Sequence, residues 1–398
     1  MPDVGLLLPG TAGDEGTDDV AVLRALLTAE AAWVRAQAAV GLVPDGAADA
    51  VDAAAAGLAG TGASGRDAAE ELASEVAAQA AAGGNPVIPL LAALRAAAPE
   101  HAATIHAGLT SQDVLDTALV LVLRDAARTA GADLDRARTA AARLAHTYRD
   151  APALGRTLAQ AAVPTTLGAR FAGWLGGLRA ARDALASAAA GLPLAYGGAA
   201  GELSGVARLT GDPFALVDAW GAELGLPVPP GPWHTARTPM TRAADALAET
   251  CAALGHVAGD VLQGVRPGTE ELREPAAPGR GASSAMPHKR NPVLSVLLRR
   301  SALAAPHLAA TVRTAAGLAA DERPDGAWHA EWPALRDLAR HAVAASRLGA
   351  ELLDGLEVDA EAAARTLRAA LPDAHGVGLA PALVDRVLAA ADDRTEEP

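Results

Sequence analysis

The sequence predicts an all-α protein, and three observations carry that prediction. Alanine, leucine and arginine, all strong helix formers, recur throughout the chain. Aromatic residues make up 3% and alternating β-branched runs are scarce, so no convincing strand series emerges. Five stretches hold helical patterns of about 20–40 residues, far above the usual mean of about 11–12.

Residues 1–105 read as shorter helices, broken by Gly/Pro/Asp clusters at Gly41–Gly46, Gly57–Gly65 and Gly83–Pro86. Thr110-x-x-Asp113 has capping-box character and opens the first long helix, which runs to about Arg149 across Gly131. A second is expected from Pro164, where proline suits a first turn, to Gly191-Leu192-Pro193. The third spans about Pro239 to Arg266 and stops at Pro267-Gly268. The fourth opens at Pro292, continues to about Ala319 and is kinked at Pro306; the fifth runs from Pro333 to about Leu353. Several of these helices are apolar on more than one face, which predicts a bundle that associates with copies of itself. The expected division is 1–108, 109–350 with a loop at 278–292, and a short helical remainder, 351–398, ending in a charged tail.

Composition narrows the function classes. The 398 residues include 51% hydrophobic ones, enough for a large core. With 33 basic and 47 acidic residues the formal charge is −14, which disfavours nucleic acid and anionic membranes as partners. Cys251 is the single cysteine, so no intrachain disulfide or common zinc site can form, and a cytoplasmic protein is expected. Neither a signal peptide nor a membrane span is read.

One lysine exists, Lys289, within Gly281-Ala282-Ser283-Ser284-Ala285-Met286-Pro287-His288-Lys289-Arg290-Asn291-Pro292; every other basic residue is arginine. A compact ammonium and a planar guanidinium are not interchangeable. Beside two serines, a histidine, an arginine and an asparagine, it marks a loop suited to holding an anion next to a hydroxyl. Arg280, His288, Lys289 and Arg290 are candidates for a local basic pocket in an acidic protein. Other polar clusters flank long helices. His106-Ala107-Gly108-Leu109-Thr110-Ser111-Gln112-Asp113 sits at a helix start, a natural carboxylate site. Arg156-Thr157-Leu158-Ala159-Gln160 precedes the second long helix. Trp328-His329-Ala330-Glu331-Trp332 puts two tryptophans on one helical face, a packing arrangement, with His329 and Glu331 between them. Trp233-His234-Thr235 and Gly197–Gly201 read as loops able to wall a substrate.

These segments together resemble the fumarase/aspartase superfamily. The lysine loop is similar to its Gly-Ser-Ser-x-Met-Pro-x-Lys-x-Asn signature, with Ala282 at a small-residue position. Gly84-Asn85-Pro86-Val87-Ile88-Pro89, Thr110-Ser111-Gln112-Asp113, Trp233-His234-Thr235 and Trp328–Trp332 resemble the 3-carboxy-cis,cis-muconate cycloisomerase branch, and the similarity spans roughly residues 15–385. The resemblance implies a central bundle of long helices with smaller helical N- and C-terminal domains. It also implies a homotetramer whose active sites each draw on three subunits, and chemistry without cofactor or metal on an anionic di- or tricarboxylate. Carried over, Ser283 moves the Cα proton as an oxyanion. Lys289 and Asn291 hold the carboxylate. His106, Thr110, Ser111, Thr157 and Gln160 bind the remaining substrate atoms. Ser284, Met286, His288, His329 and Glu331 support the site from behind.

Three departures matter. Amine-expelling relatives carry Thr-His-Gly-Gln in the second cluster, the histidine being a general acid; here the stretch is Thr157-Leu158-Ala159-Gln160. An amine leaves only with a proton, whereas a carboxylate, with a reference pKa of about 4, needs none. Arg237-Thr238-Pro239 replaces the family's Arg-Asp-Arg run, and the C-terminal part is shorter than usual. The expected reaction is therefore conversion of 3-carboxy-cis,cis-muconate to 4-carboxymuconolactone in protocatechuate breakdown. Release of nitrite from nitrosuccinate is the second reading, an adenylosuccinate- or argininosuccinate-type lyase the third, and a non-catalytic helical scaffold the fourth.

Overall fold

The structure is a computed structural model and describes residues 7, 9–11, 15–60, 65–283, 286 and 289–392. Its elements, in chain order, are α1 (Asp19–Ala39), α2 (Ala47–Ala59), α3 (Gly65–Gly83), α4 (Val87–Ala97), α5 (Ser111–Thr147), β1 (Pro152–Thr157), β2 (Gln160–Thr166), α6 (Leu167–Ala190), α7 (Ser204–Ala207), α8 (Pro213–Leu224), α9 (Thr238–Gly264), β3 (Leu272–Arg273), α10 (Val293–Leu318), α11 (Gly326–Asp354), β4 (Glu357–Val358), α12 (Ala360–Ala370) and α13 (Ala380–Asp392). The protein is all-α, as expected, with two short antiparallel ribbons, β1–β2 and β3–β4. No helix among the described residues is long and apolar enough to cross a membrane.

Two compact units emerge. The first comprises Met1–Ala127, Ser187–Asp245 and Leu308–Arg340; the second comprises Arg128–Ala186, Ala246–His307 and His341–Pro398.

In the first unit α1 packs against α2, α3 and α8. Trp33 and Trp220 are both fully buried and meet edge-to-face, with ring centroids 5.2 Å apart. Each indole also spends its N–H on a backbone carbonyl, Trp33 on Ala107 at 3.0 Å and Trp220 on Ala29 at 3.0 Å. Large apolar rings thus enter the core without stranding a donor. The start of α1 is capped by Asp18, which accepts from the Ala21 N–H at 2.8 Å.

The second unit relies on small residues where helices approach closely. A Cβ on Gly255 would lie 2.3 Å from Ala302 Cβ, joining α9 to α10. Phe171 and Trp174 of α6 meet at a tilt, with ring centroids 4.8 Å apart, and the Trp174 indole donates to Asp260 at 2.7 Å. At the start of α10, Glu274 caps from a distance, accepting from the Leu294 and Ser295 N–H groups at 3.0 and 2.7 Å. Pro306 lies inside that helix, as expected.

Three sequence expectations are corrected. Residues 152–166 form a hairpin, although no strand was read there. Its second strand is Ala-rich and contains Pro164, which faces Leu154; a two-stranded ribbon is all edge, and an edge strand tolerates a residue without an N–H. The helix expected from Pro164 therefore opens at Leu167. The fifth long helix opens at Gly326 rather than Pro333, because Asp325 receives the Trp328 N–H at 3.1 Å and starts the helix two turns earlier.

Cys251 is fully buried in α9, and burial pushes its thiol up to about 12. A thiol kept protonated and out of solvent reacts slowly. Ellman's reagent at pH 8 is expected to leave native protein unmodified and to titrate one thiol after denaturation. Rapid reaction in the native state would contradict this packing.

Candidate functional site

The first unit contains a network of buried polar groups that sequence reading only partly anticipated. Gln112, Asp113, Asp116 and Thr117, in the first two turns of α5, have no exposed surface. Asp113 closes the expected capping box by accepting from the Thr110 N–H at 2.9 Å. It also accepts from the Gly198 N–H, at 3.1 Å to the nearer oxygen, and from His234 Nε2 at 2.9 Å. That carboxylate ties the 106–113 cluster to the Gly197–Gly201 and Trp233–Thr235 loops.

One helical turn along, Asp116 meets Arg237, whose side chain has no exposed surface. The guanidinium is bidentate on Asp116, at 2.6 and 3.0 Å, and reaches Glu331 at 2.7 Å. It lies 4.8 Å over the Trp233 ring. The Trp328 indole donates to Asp116 at 2.9 Å, and Gln112 donates to Asp116 at 3.1 Å. Burial alone would lower the Arg237 pKa, but Asp116 and Glu331 overcome it and raise it. Burial raises the Glu331 pKa, with Arg237 acting against it. The cluster was legible only in part: Glu331 was singled out and Arg237 marks the head of the departing Arg237-Thr238-Pro239 run, but Asp116 carries no local motif.

His329 packs edge-to-face on Trp328, with ring centroids 5.5 Å apart, but among the described residues takes no hydrogen bond from this network. It is exposed, and its two ring nitrogens face the carbonyls of Asp325 at 3.0 Å and Gly84 at 2.8 Å, tying α11 to the Gly84-Asn85-Pro86 turn. Trp328 and Trp332 pack edge-to-face at 4.7 Å, the packing role expected of them.

Around Thr110 the site is less enclosed. The Thr110 hydroxyl accepts from Arg323, a residue that sequence reading missed, and Arg323 also holds the Ala199 carbonyl at 2.9 Å. Its only sequence signal is the charged run Asp321-Glu322-Arg323 before Pro324. Ser111 is half-buried at the first turn of α5, with no side-chain hydrogen bond among the described residues. His106 has φ +62° and pairs with the buried Glu30 at 2.6 Å.

The second unit holds the other candidates. Gly281 and Asn291 close the neck of the lysine loop: the Asn291 N–H donates to the Gly281 carbonyl at 2.9 Å, and its side-chain amide does so at 3.2 Å. Gly281 has φ +68°, and a Cβ there would lie 2.5 Å from the Asn291 oxygen, so only glycine fits. Within the loop, Ser283 Oγ accepts from the Met286 N–H at 3.1 Å. Lys289 is exposed and makes no ion pair among the described residues. Arg280, expected in the basic pocket, is committed elsewhere: it pairs with Glu351 and donates to the Pro275 carbonyl at 3.3 Å. Ser284 and His288 lie outside the described residues.

Thr157 and Gln160 are exposed and form the last pair of the β1–β2 hairpin. Leu158 and Ala159 make the two-residue turn between them, at φ +49° and +63°. That is type I′ geometry, normally given to Asn-Gly, and here it strains two side-chain-bearing residues. Leu158 is 97% exposed. Behind the tip, Arg156 and Arg170 both pair with Glu271, which has no exposed surface, at 3.1 Å each. Among the described residues no cluster of metal-ligating side chains occurs.

Two outcomes check this geometry. Arg237→Met should destabilise the fold by about 3–5 kcal/mol in urea unfolding, because two carboxylates lose their buried partner; a loss below about 1 kcal/mol would contradict the pairing. Replacing Leu158-Ala159 with Asn-Gly should raise stability by about 1 kcal/mol or more as the strain is relieved. An unchanged melting temperature would argue against the left-handed turn.

The chain is similar to known lyases and cycloisomerases over most of its length. A family model described as Lyase matches residues 11–305. Nitrosuccinate lyase from Streptomyces davaonensis is 46% identical over 374 residues, covering 90% of this chain and 76% of that protein. A 3-carboxy-cis,cis-muconate cycloisomerase from Bradyrhizobium diazoefficiens is 38% identical over 387 residues, covering 96% and 82%. The crystal structure of the 3-carboxy-cis,cis-muconate lactonizing enzyme from Pseudomonas putida superposes with a TM-score of 0.79 at 34% identity, covering 96% of this chain and 85% of that one.

Proposed function

Because the chain belongs to the fumarase/aspartase superfamily of lyases, we propose that it expels a weakly basic anion from a small dicarboxylate, with nitrite from nitrosuccinate as the first reading. Membership makes it a lyase-type enzyme for a small-molecule carboxylate. The order of the two leading readings is the reverse of the one the sequence motifs suggested, because the nitrosuccinate lyase is 46% identical and the cycloisomerase 38%.

The observation that carries the reading is the hairpin tip. The two residues between Thr157 and Gln160 are aliphatic, so this turn offers a departing group no proton. Nitrite, the conjugate base of an acid about as strong as a carboxylic acid, departs without one. Ser283, as an oxyanion, takes the proton from the carbon beside one carboxylate. The C–H electron pair becomes the new C=C bond as the C–N bond breaks, and nitrite leaves with the C–N pair. The products are fumarate and nitrite, and the proton stays on Ser283 until water removes it. A serine hydroxyl is a poor base, and the Met286 N–H on its oxygen supports the anionic form. The uncommitted Lys289 ammonium and the Asn291 amide suit the carboxylate on which charge grows. Thr110, Ser111, Thr157 and Gln160 supply hydroxyl and amide contacts to the rest of the substrate. As in the superfamily, we infer a homotetramer in which different copies contribute these groups to one site.

The cycloisomerase is the second reading, favoured by the 0.79 TM-score to the lactonizing enzyme. There the substrate's own carboxylate adds to the double bond and again needs no acid.

Purified protein is expected to release nitrite from nitrosuccinate, and Ser283→Ala to lower that rate at least about 100-fold. Loss of diene absorbance from 3-carboxymuconate without nitrite release would move the assignment to the cycloisomerase. Unchanged turnover by the alanine variant would overturn the mechanism.

A further inference from the structure

Helix α1 carries three polar side chains on one stripe, Glu30, Trp33 and Gln37, and all three grip the segment before α5. Gln37 donates to the Thr104 carbonyl at 2.9 Å, and Trp33 donates to the Ala107 carbonyl at 3.0 Å. Glu30 meets His106 Nδ1 at 2.6 Å. Arg95, from α4, holds the Ile105 carbonyl at 3.0 Å. Four consecutive residues are thus fixed by four side chains. Beyond them Gly108 lies so close to Gly205 that a Cβ on either would fall within 3.0 Å of the other's backbone. Such over-determination is what lets His106 keep a left-handed backbone, φ +62°.

The Glu30 contact is unlike the other three. Those satisfy backbone carbonyls and serve the fold. Glu30 instead places a carboxylate with no exposed surface against a ring that keeps 12% of its own. Its second oxygen, Oε2, is buried with no hydrogen-bond partner among the described residues. Such a group is costly and calls for a reason other than packing. The reason lies in imidazole chemistry: a carboxylate behind one ring nitrogen decides which nitrogen carries the hydrogen and which faces outward.

We propose that Glu30 is a positioning residue. Its buried carboxylate accepts the Nδ1 hydrogen of His106 and so sets Nε2 as the ring atom presented to the substrate. A second ring hydrogen, when bound, then sits on Nε2 between the imidazole and an anionic ligand, with the balancing charge behind it. The proposal rests on the reading above, in which the segment from His106 to Ser111 contacts substrate.

The test combines a spectroscopic and a kinetic readout on the full-length protein. With ¹⁵N-labelled histidine, the His106 signals are those missing in His106→Gln. Wild type is expected to show the Nδ1–H form of the neutral ring, and Glu30→Leu to lose it. In turnover Glu30→Leu should lower kcat/KM by about 10- to 100-fold, with no further loss in a His106→Gln background. Glu30→Gln, which keeps an acceptor for Nδ1 but not the charge, should preserve the Nδ1–H ring form and lose less activity than Glu30→Leu. An Nε2–H ring in wild type, or equal losses from Glu30→Leu in both backgrounds, overturns the proposal. If wild type turns over neither nitrosuccinate nor 3-carboxymuconate, the functional reading fails instead. The wild-type ring measurement still decides the role of Glu30, whether or not the leucine variant folds.

Discussion

A guanidinium shut away from water between two carboxylates constrains the first unit more than any other interaction in it. Arg237 can sit at zero exposure only if Asp116 and Glu331 are both in place, because an unpaired buried charge costs several kcal/mol. Those residues come from the start of α5, the start of α9 and the start of α11. Satisfying one cation therefore registers three helix ends; α5 itself begins with Ser111, and the loops attached to these ends carry Thr110, His234 and Arg323. The Trp328 and Gln112 donors fill out the same carboxylate, so the arrangement has little freedom to drift.

The charged groups of this protein fall into two kinds. Most are committed: Arg237 to two acids, Arg156 and Arg170 to Glu271, Arg280 to Glu351. Arginine suits that use because its planar fork binds carboxylates in fixed geometry. Lys289, the single lysine, is exposed on its loop, with its ammonium unpaired among the described residues. A flexible point charge without a protein partner suits a substrate carboxylate that arrives and leaves. The strain at Leu158-Ala159 belongs to the same logic, since a turn that glycine would make comfortable instead carries side chains at the tip.

Much of the architecture was legible in the sequence, for identifiable reasons. The α5 boundaries were read as about 110–149 and are Ser111–Thr147, because a capping box marks one end and unbroken helical periodicity fills the rest. α9 and α10 were placed within a few residues by their flanking prolines and glycines. The same punctuation misled at Pro164 and Pro333: one lies in an edge strand and the other inside a helix that Asp325 had already started. The hairpin escaped notice because its turn lacks Gly or Asn and its strands are rich in alanine and proline. The lysine loop was conspicuous because its residue types have no packing use. The Arg237 cluster was not, since its partners lie 94 and 121 residues away and no local pattern joins them. Glu30 and Arg323 were invisible for the same reason.

A crystal structure of Ser283→Ala with nitrosuccinate bound tests the unassisted elimination at its reacting atoms. A substrate carboxylate is expected within hydrogen-bond distance of Lys289 Nζ and the Asn291 side chain. The proton-bearing carbon should face residue 283, with no histidine or carboxylic acid placed to protonate the nitro group. A ligand bound away from this loop, or a histidine donating to the departing group, would contradict this mechanism.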